Sequence, residues 1–250
     1  MKKSESLSMR STKIKKEKFT FSDFEEGLML AGYLTPKSIE EISDREELEK
    51  YEAETQSQAK NIYFKRVVLA AEIVSKMHSE PSLGSVKFQK MVYLCEKAAE
   101  MKLDQRYAKQ AAGPFDNKFM HSVAKELKKN KWFSVVKEVN NQYTRHRYLP
   151  LENCEGYKKY YQNYFHSKND SIQFIIELFR NRSTDFTELA ATVLACVLEI
   201  QSKQDDVLKE RLLELFYAWS EGKKRFSEKD VLNSFSWLEK NGLIKGNDLS

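Results

Sequence analysis

Apolar residues recur along most of this chain at three- and four-residue spacings, which is the pattern of amphipathic helices. The pattern predicts helices over residues 44–77, 86–102, 116–129, 155–180, 183–201, 205–219 and 227–241. Residues 132–139 and 143–149 instead alternate between apolar and polar side chains, and Asn140 and Asn141 suit a tight turn between them. The sequence therefore predicts a mainly α fold, a helical body with one β-hairpin.

Several predicted helices begin at residues that commonly cap helix N-termini. These residues are Ser43, Asp116, Ser183 or Thr184, and Ser227, and Gly242 is expected to end the last helix. The first helical segment contains no Gly or Pro, but residues 52–60 are almost wholly polar. We therefore expect either one long helix or two in tandem, exposed in the first half and docked in the second.

The middle of the chain has the element order of a winged helix-turn-helix, in which two helices joined by a turn precede a hairpin. Residues 1–18 are basic and aperiodic, which predicts a disordered tail, and residues 19–80 form an N-terminal helical region with a long acidic helix. Residues 81–182 form a helical domain that contains the hairpin. Residues 183–250 form a C-terminal helical region whose last part is also partly winged-helix-like.

The hydropathy of the chain argues against a membrane protein. No apolar run reaches the length of about 18 residues that a transmembrane helix requires, and the most apolar stretch, residues 189–200, indicates a buried core helix. The basic N-terminus has no apolar segment behind it, which argues against a secretory signal. These features predict a cytoplasmic protein without a membrane partner.

The residue types that carry catalysis or bind metals are few and scattered. The chain has 3 Cys and 4 His, with no CxxC pair and no HxxxH spacing. Cys95 and Cys196 lie in apolar helical patterns, which indicates small core residues. No phosphate-binding glycine loop and no nucleophile motif occurs either. The sequence predicts a non-catalytic protein without a metal, a cofactor or a small-molecule substrate.

The net charge of +5 is unevenly distributed, and residues 61–150 form the positive pole. Within this pole, the strongest cluster lies at the end of a predicted helix and on the predicted hairpin, and its members are Lys128, Lys129, Lys131, Arg145, His146 and Arg147. In a winged helix, side chains at these positions contact phosphates. The cluster predicts a nucleic-acid-binding surface, and a solvated basic face without a ligand is the alternative.

Residues 87–94, with the sequence KFQKMVYL, place polar side chains beside an apolar helix face. Gln89 and Tyr93 are four residues apart, so their side chains can touch. Together with the glycine-proline turn that follows, they form a candidate partner-binding set of Gln89, Lys90, Tyr93, Gly113, Pro114 and Phe115. The same residues also fit a structural role in fixing the helix to the turn.

The KFQKMVYL helix and the Gly113-Pro114 turn carry a family resemblance. The stretch from residue 84 to residue 133 resembles the Panacea domain of SocA-like antitoxins. Residues 62–245, including the C-terminal segment YAWSEGKKRFSEKDVLNSFSWLEKNGLI, are also similar to accessory regions of type I restriction-modification proteins, particularly of their specificity subunits. The chain shows no repeated target-recognition domains of the kind found in those subunits.

The resemblance implies two functions. The Panacea domain implies a protein that neutralises or regulates a toxin or a phage-defence effector through protein contacts, as in a toxin-antitoxin pair. In that case the partner is the toxin or a subunit of the defence system. The restriction-modification resemblance implies, as the alternative, an accessory that contacts DNA.

Overall fold

The structure is a computed structural model that describes residues 45–140, 143–204 and 206–244. The chain divides into two compact units, residues 1–49 and residues 50–250. Only residues 45–49 of the first unit are described, as the beginning of a helix. The expected tail at residues 1–18, the cap at Ser43 and the turn residue Asn141 lie outside the described residues. The boundaries expected after residues 80 and 182 both fall within the second unit.

Helices make up most of the described chain. We number them α1 to α8, and their bounds are α1 Arg45–Met77, α2 Ser85–Ala98, α3 Asn117–Lys129, α4 Lys158–Phe165, α5 Asn169–Arg180, α6 Thr184–Ser202, α7 Lys209–Ala218 and α8 Glu228–Lys240. Short 3-10 helices lie at Asp104–Arg106, His166–Lys168 and Glu221–Arg225. The prediction of a mainly α fold is confirmed.

Two antiparallel strand pairs interrupt the helices. Strands β1 (Ala108–Gln110) and β2 (Gly113–Phe115) form a small sheet between α2 and α3. Strands β3 (Phe133–Asn140) and β4 (Tyr143–Pro150) form the predicted hairpin, with Phe133 opposite Pro150 and Asn140 opposite Tyr143. The connection between α2 and α3 is therefore longer than the tight turn of a simple helix-turn-helix, because it carries its own sheet.

Helix α1 is one continuous helix and not two in tandem. Its residues 53–61 are mostly exposed, whereas residues 66–74 are buried. The change follows the sequence, because the polar first half offers no apolar face and the second half supplies Val67, Leu69 and Ile73 to the core. The expected docking of the second half is confirmed.

The predicted helix over residues 155–180 is in fact two helices. Phe165 leaves the helical conformation with φ −125° and ψ 14°, and the 3-10 helix at His166–Lys168 joins α4 to α5. The sequence explains the break, because no apolar residue lies between Phe165 and Ile172 to hold a straight helix against the core.

Helix α6 is the centre of the second unit. It contacts α2, α7, α8 and β2, and it is buried on nearly every side. The predicted core segment 189–200 lies in this helix, and Cys95 and Cys196 are both fully buried in the core as expected. Within the described ranges, no helix is long and apolar enough to cross a membrane.

The predicted helix ends at three positions are also confirmed. The side chains of Asp116, Ser183 and Ser227 each accept a hydrogen bond from a backbone N–H in the first turn of α3, α6 and α8. At the other end of α8, Gly242 has a φ of 71°, the left-handed conformation that glycine adopts readily. Capping residues thus define where these helices start and stop.

Candidate functional site

The candidate partner-binding residues on α2 lie mostly in the interior. Tyr93 is 3% exposed and Lys90 is fully buried. Gln89 is half-buried, and its Nε2 donates a hydrogen bond of 3.3 Å to Ser85 Oγ. A partner that approaches this face of the folded protein therefore meets Gln89, and does not meet Lys90.

The glycine-proline turn is buried together with Lys90. Lys90 Nζ donates a 2.7 Å hydrogen bond to the carbonyl oxygen of Pro114, and both Gly113 and Pro114 are buried. The loop that precedes them is also tied down, because Trp219 Nε1 donates to the carbonyl oxygen of Gln110 at 2.9 Å. The structure thus brings Lys90, Gly113 and Pro114 together as a packed junction of α2, β2 and α6.

Phe115, the last member of the candidate set, is half-buried beside this junction. The contacts of Lys90, Gly113 and Pro114 directly support the structural role, in which these residues fix α2 to the turn. Partner binding by Gln89, Tyr93 and Phe115 stays a prediction.

The environment of Lys90 is unfavourable for its positive charge. Burial and, to a smaller extent, the nearby ammonium of Lys223 lower the pKa of Lys90 to about 7, against the opposite effect of Glu188. Lys223 itself is fully buried and forms a 2.8 Å ion pair with Glu188. The junction therefore contains two buried lysines and one carboxylate, and Lys90 lacks a direct acidic partner among the described residues.

We expect this arrangement to make stability depend on pH. Because the pKa of Lys90 is lowered in the folded state, the folded protein binds fewer protons than the unfolded chain above about pH 7. The free energy of unfolding should therefore rise as the pH increases from about 7 toward the unfolded pKa of lysine, about 10.4. Lys90→Met should remove this rise. Urea denaturation of both proteins across this range tests the difference, and parallel pH profiles would contradict it.

A buried ionic network between α1, α2 and the start of α3 was not predicted. Arg66, 1% exposed, contacts Glu96 Oε1 through Nε at 2.6 Å and Asp116 Oδ2 through Nη1 at 2.6 Å. Tyr107 donates a 2.5 Å hydrogen bond to the other oxygen of Glu96, and the guanidinium lies 4.0 Å from the Phe119 ring centroid. Burial raises the pKa of Glu96 and opposes the lowering by Arg66. The network fixes the N-terminus of α3, because Asp116 is also its cap.

Helix α3 presents a basic face to solvent. Phe119, Val123 and Leu127 are buried on one side, and the exposed residues on the other side include Lys118, His121, Lys125, Lys128 and Lys129. Lys129 pairs with Glu126 at 3.5 Å. In the part of the chain that the structure describes, Lys118, Lys125 and Lys128 have no ion-pair partner. We call Lys118, His121, Lys125 and Lys128 the basic stripe, since their spacing of three and four residues aligns them along the helix.

The hairpin divides the remaining residues of the predicted basic cluster. Because side chains alternate along a strand, His146 lies on the hairpin face that carries Lys137 and Tyr148, and Arg147 lies on the opposite face. Arg147 pairs there with Glu138 at 2.8 Å, and Lys131 pairs with Glu152 at 2.9 Å. The side chain of Arg145 lies outside the described residues.

The six residues of the predicted basic cluster therefore come together only in part. Lys128 and His146 belong to neighbouring elements that pack together, α3 and the hairpin, whereas Arg147 and Lys131 are neutralised by acidic partners on other surfaces. Two lysines that the cluster did not include, Lys118 and Lys125, complete the stripe. Their helical spacing with Lys128 was a signal in the sequence.

The fold and this site define a mainly helical protein in which a basic helix lies beside a β-hairpin. Comparison with protein-family models, with curated proteins and with solved structures gives no match for the chain. Among the described residues, no three His, Cys, Asp or Glu side chains are grouped as metal ligands.

Proposed function

We propose that this protein is a binding protein that contacts the DNA backbone through the basic stripe of α3. The observation that carries the proposal is the row of exposed lysines, Lys118, Lys125 and Lys128, that have no ion-pair partner among the described residues. Each lysine near a phosphate displaces condensed counterions, which gives affinity without reading the sequence. The role is that of a DNA-contacting accessory, as the resemblance to restriction-modification proteins suggests.

The neighbouring elements support this proposal. The β3–β4 hairpin packs against α3, and Val139 near the end of β3 is 79% exposed. It presents Lys137 and His146 on the face shared with Tyr148. A basic helix flanked by a basic hairpin is the arrangement through which winged-helix proteins contact a groove and the adjoining backbone.

A protein partner of the antitoxin type is the second candidate, and a different surface favours it. A groove of about 540 Å³ lies between α2, α5, α6 and the residues that follow α8. Its lining includes Leu94, Leu198 and Phe174, and Phe174 is 48% exposed, unusual for such a large apolar side chain. Toxin or effector binding of the Panacea type would use this groove, and Phe174→Asp should then abolish co-purification of the partner from the native host.

We expect the triple variant Lys118→Ala, Lys125→Ala and Lys128→Ala to weaken binding of a short DNA duplex. The slope of log affinity against log salt concentration should decrease by roughly one unit for each lysine that contacts a phosphate. Fluorescence anisotropy titrations at several salt concentrations measure both quantities.

A matched control has the same change in charge on other helices. The variant carries Lys209→Ala, Lys229→Ala and Lys240→Ala, three exposed lysines on α7 and α8. We expect it to keep the wild-type salt slope. Equal losses in the two triple variants would show that net charge alone attracts DNA, and the proposal for α3 would then be wrong.

A further inference from the structure

A cleft opens between the hairpin, the first half of α2 and α3. Its volume is about 240 Å³. Most of the lining is apolar or aromatic and includes Phe88, Met120, Val123, Ala124, Val135 and Tyr148. The polar lining residues are Ser85, Gln89, Lys137 and His146. Phe88 and Tyr148 contact each other in this lining, with ring centroids 5.0 Å apart.

Tyr148 places a hydrogen-bonding group in the lining of this cleft. This side chain is 5% exposed, and its hydroxyl has no hydrogen-bond partner among the described residues. Ser234 Oγ is the one fully buried side-chain oxygen or nitrogen without a partner among the described residues, so the Tyr148 hydroxyl is not sealed in the core and can donate to or accept from a group in the cleft. Since Tyr148 lines the cleft, a group that enters the cleft can supply the missing partner.

The charge of the cleft indicates which kind of ligand it can bind. No acidic residue is among the described lining residues, and Lys137 carries a positive charge into the lining. Lys128 of the basic stripe directly follows the lining residue Leu127 on α3. A ligand that combines a flat ring with a neighbouring negative charge satisfies both the apolar walls and the lysines.

The size of the cleft limits the ring to a small one. Pockets for drug-sized ligands measure roughly 300–1,000 Å³, and this cleft is below that range at about 240 Å³. Gln89, which has one weak hydrogen bond to Ser85, and His146 offer both donors and acceptors at the polar side. These groups match the amide-like edge of a single heterocyclic base.

We propose that this cleft holds one unstacked nucleobase of a bound single strand, while the basic stripe contacts the adjoining phosphates. The inference rests on the proposed function, because the strand reaches the cleft from the basic stripe. A base inside a duplex is stacked and paired and does not reach such a cleft unless it is extruded. The protein should therefore prefer single-stranded DNA to a duplex of the same length.

The test uses three labelled probes: an oligothymidylate of about ten nucleotides, the same strand without bases, and a duplex of equal length. We expect the wild-type protein to bind the strand with bases roughly tenfold more tightly than the abasic strand, which is the usual scale of one base contact. Ala124→Leu fills the cleft and should remove this difference without changing affinity for the abasic strand. Tyr148→Phe removes only the hydroxyl and should reduce the difference by about threefold.

The control is Ala218→Leu, the same substitution at an exposed position of α7, which should behave as wild type. Equal affinities for the strand with bases and the abasic strand would overturn the base site, and retained stripe-dependent binding would leave the proposed function standing. If none of the three probes binds, both proposals are wrong. If the wild-type difference persists in both cleft variants, the base is bound elsewhere and the inference fails.

Discussion

Replacing Arg66 by methionine should lower the free energy of unfolding by about 3–5 kcal/mol, the usual cost of removing one member of a buried ion pair. Methionine fills much of the same space but leaves the carboxylates of Glu96 and Asp116 buried without their cation. The contact of the guanidinium with the Phe119 ring is lost as well. Urea denaturation followed by circular dichroism gives the free energy directly.

The pH dependence identifies the cause of this loss. In the variant, burial of Glu96 is no longer opposed by Arg66, so its pKa should rise further. A buried carboxyl with a raised pKa destabilises the folded state less when it is protonated. The loss in free energy of unfolding caused by Arg66→Met should therefore become smaller as the pH is lowered toward about 5. A deficit that does not change with pH would point to lost packing and not to uncompensated charge.

An exposed arginine-glutamate pair provides the control. Arg147 and Glu138 are separated by 2.8 Å, about the same distance as the buried pair, but their side chains are 51% and 47% exposed. Water screens such pairs, so Arg147→Met should cost less than about 1 kcal/mol. If both arginine variants lose the same stability, burial of Arg66 has no special importance.

The helices were predictable because each of them buries apolar residues at helical spacing, and three of them, α3, α6 and α8, begin at a capping side chain. Asp116 and Ser227 show this well, since each accepts the expected backbone hydrogen bond. The hairpin was predictable for the same reason, with a period of two instead of 3.6. The break at Phe165 was missed because aromatic residues at helical spacing lie on both sides of it, although residues 166–171 contain no apolar side chain to continue the pattern.

The interior ionic groups were not predictable from local pattern. Arg66 is 30 residues from Glu96 and 50 from Asp116, so no spacing rule connects them. The one signal was position, because Arg66 directly precedes an apolar run. Lys90 also lies beside apolar residues in the sequence. It was predicted to bind a partner because the sequence does not show that β2 covers it.

The candidate DNA surface was half predictable. Lys128 stood out because adjacent lysines raise the local charge, whereas Lys118 and Lys125 are separated along the sequence and converge only on the helix surface. Strand alternation would have separated His146 from Arg147, since neighbours on a strand face opposite sides. The cleft itself required knowledge of how the hairpin packs against α2 and α3, which the sequence does not contain.

Gly113→Ala should be the other strongly destabilising substitution, with a loss of about 2–5 kcal/mol from two separate causes. Gly113 has a φ of 101°, a backbone conformation that side chains rarely adopt. An added Cβ would also lie 2.6 Å from Thr192 Oγ1 on α6, which is too close for any contact. Because the turn is buried between α2 and α6, the backbone has little room to relax.

Two other glycines separate these causes. Gly242 has a φ of 71° and open space around it, so Gly242→Ala measures strain alone, at about 1 kcal/mol. Gly84 has a φ of −97° and no neighbour within 4 Å of the added Cβ, so Gly84→Ala should cost only the loss of a favourable N-cap residue, about 0.5–1 kcal/mol. Thermal and urea denaturation of the three alanine variants rank them, and a Gly113 variant no less stable than the Gly242 variant would contradict the close packing.

Thr192→Ala completes the test, because it removes the hydroxyl that the new Cβ would meet. In the single variant the loss should be near 1 kcal/mol, since the hydroxyl donates a 2.8 Å hydrogen bond to the carbonyl oxygen of Glu188. In the double variant with Gly113→Ala, the steric part of the cost disappears and the strain remains. The two changes should therefore be less destabilising together than the sum of their separate effects, by about 1–2 kcal/mol. Strict additivity would mean that the turn moves away from α6 when the methyl group is added, and that the contact between β2 and α6 does not fix the position of Pro114 above Lys90.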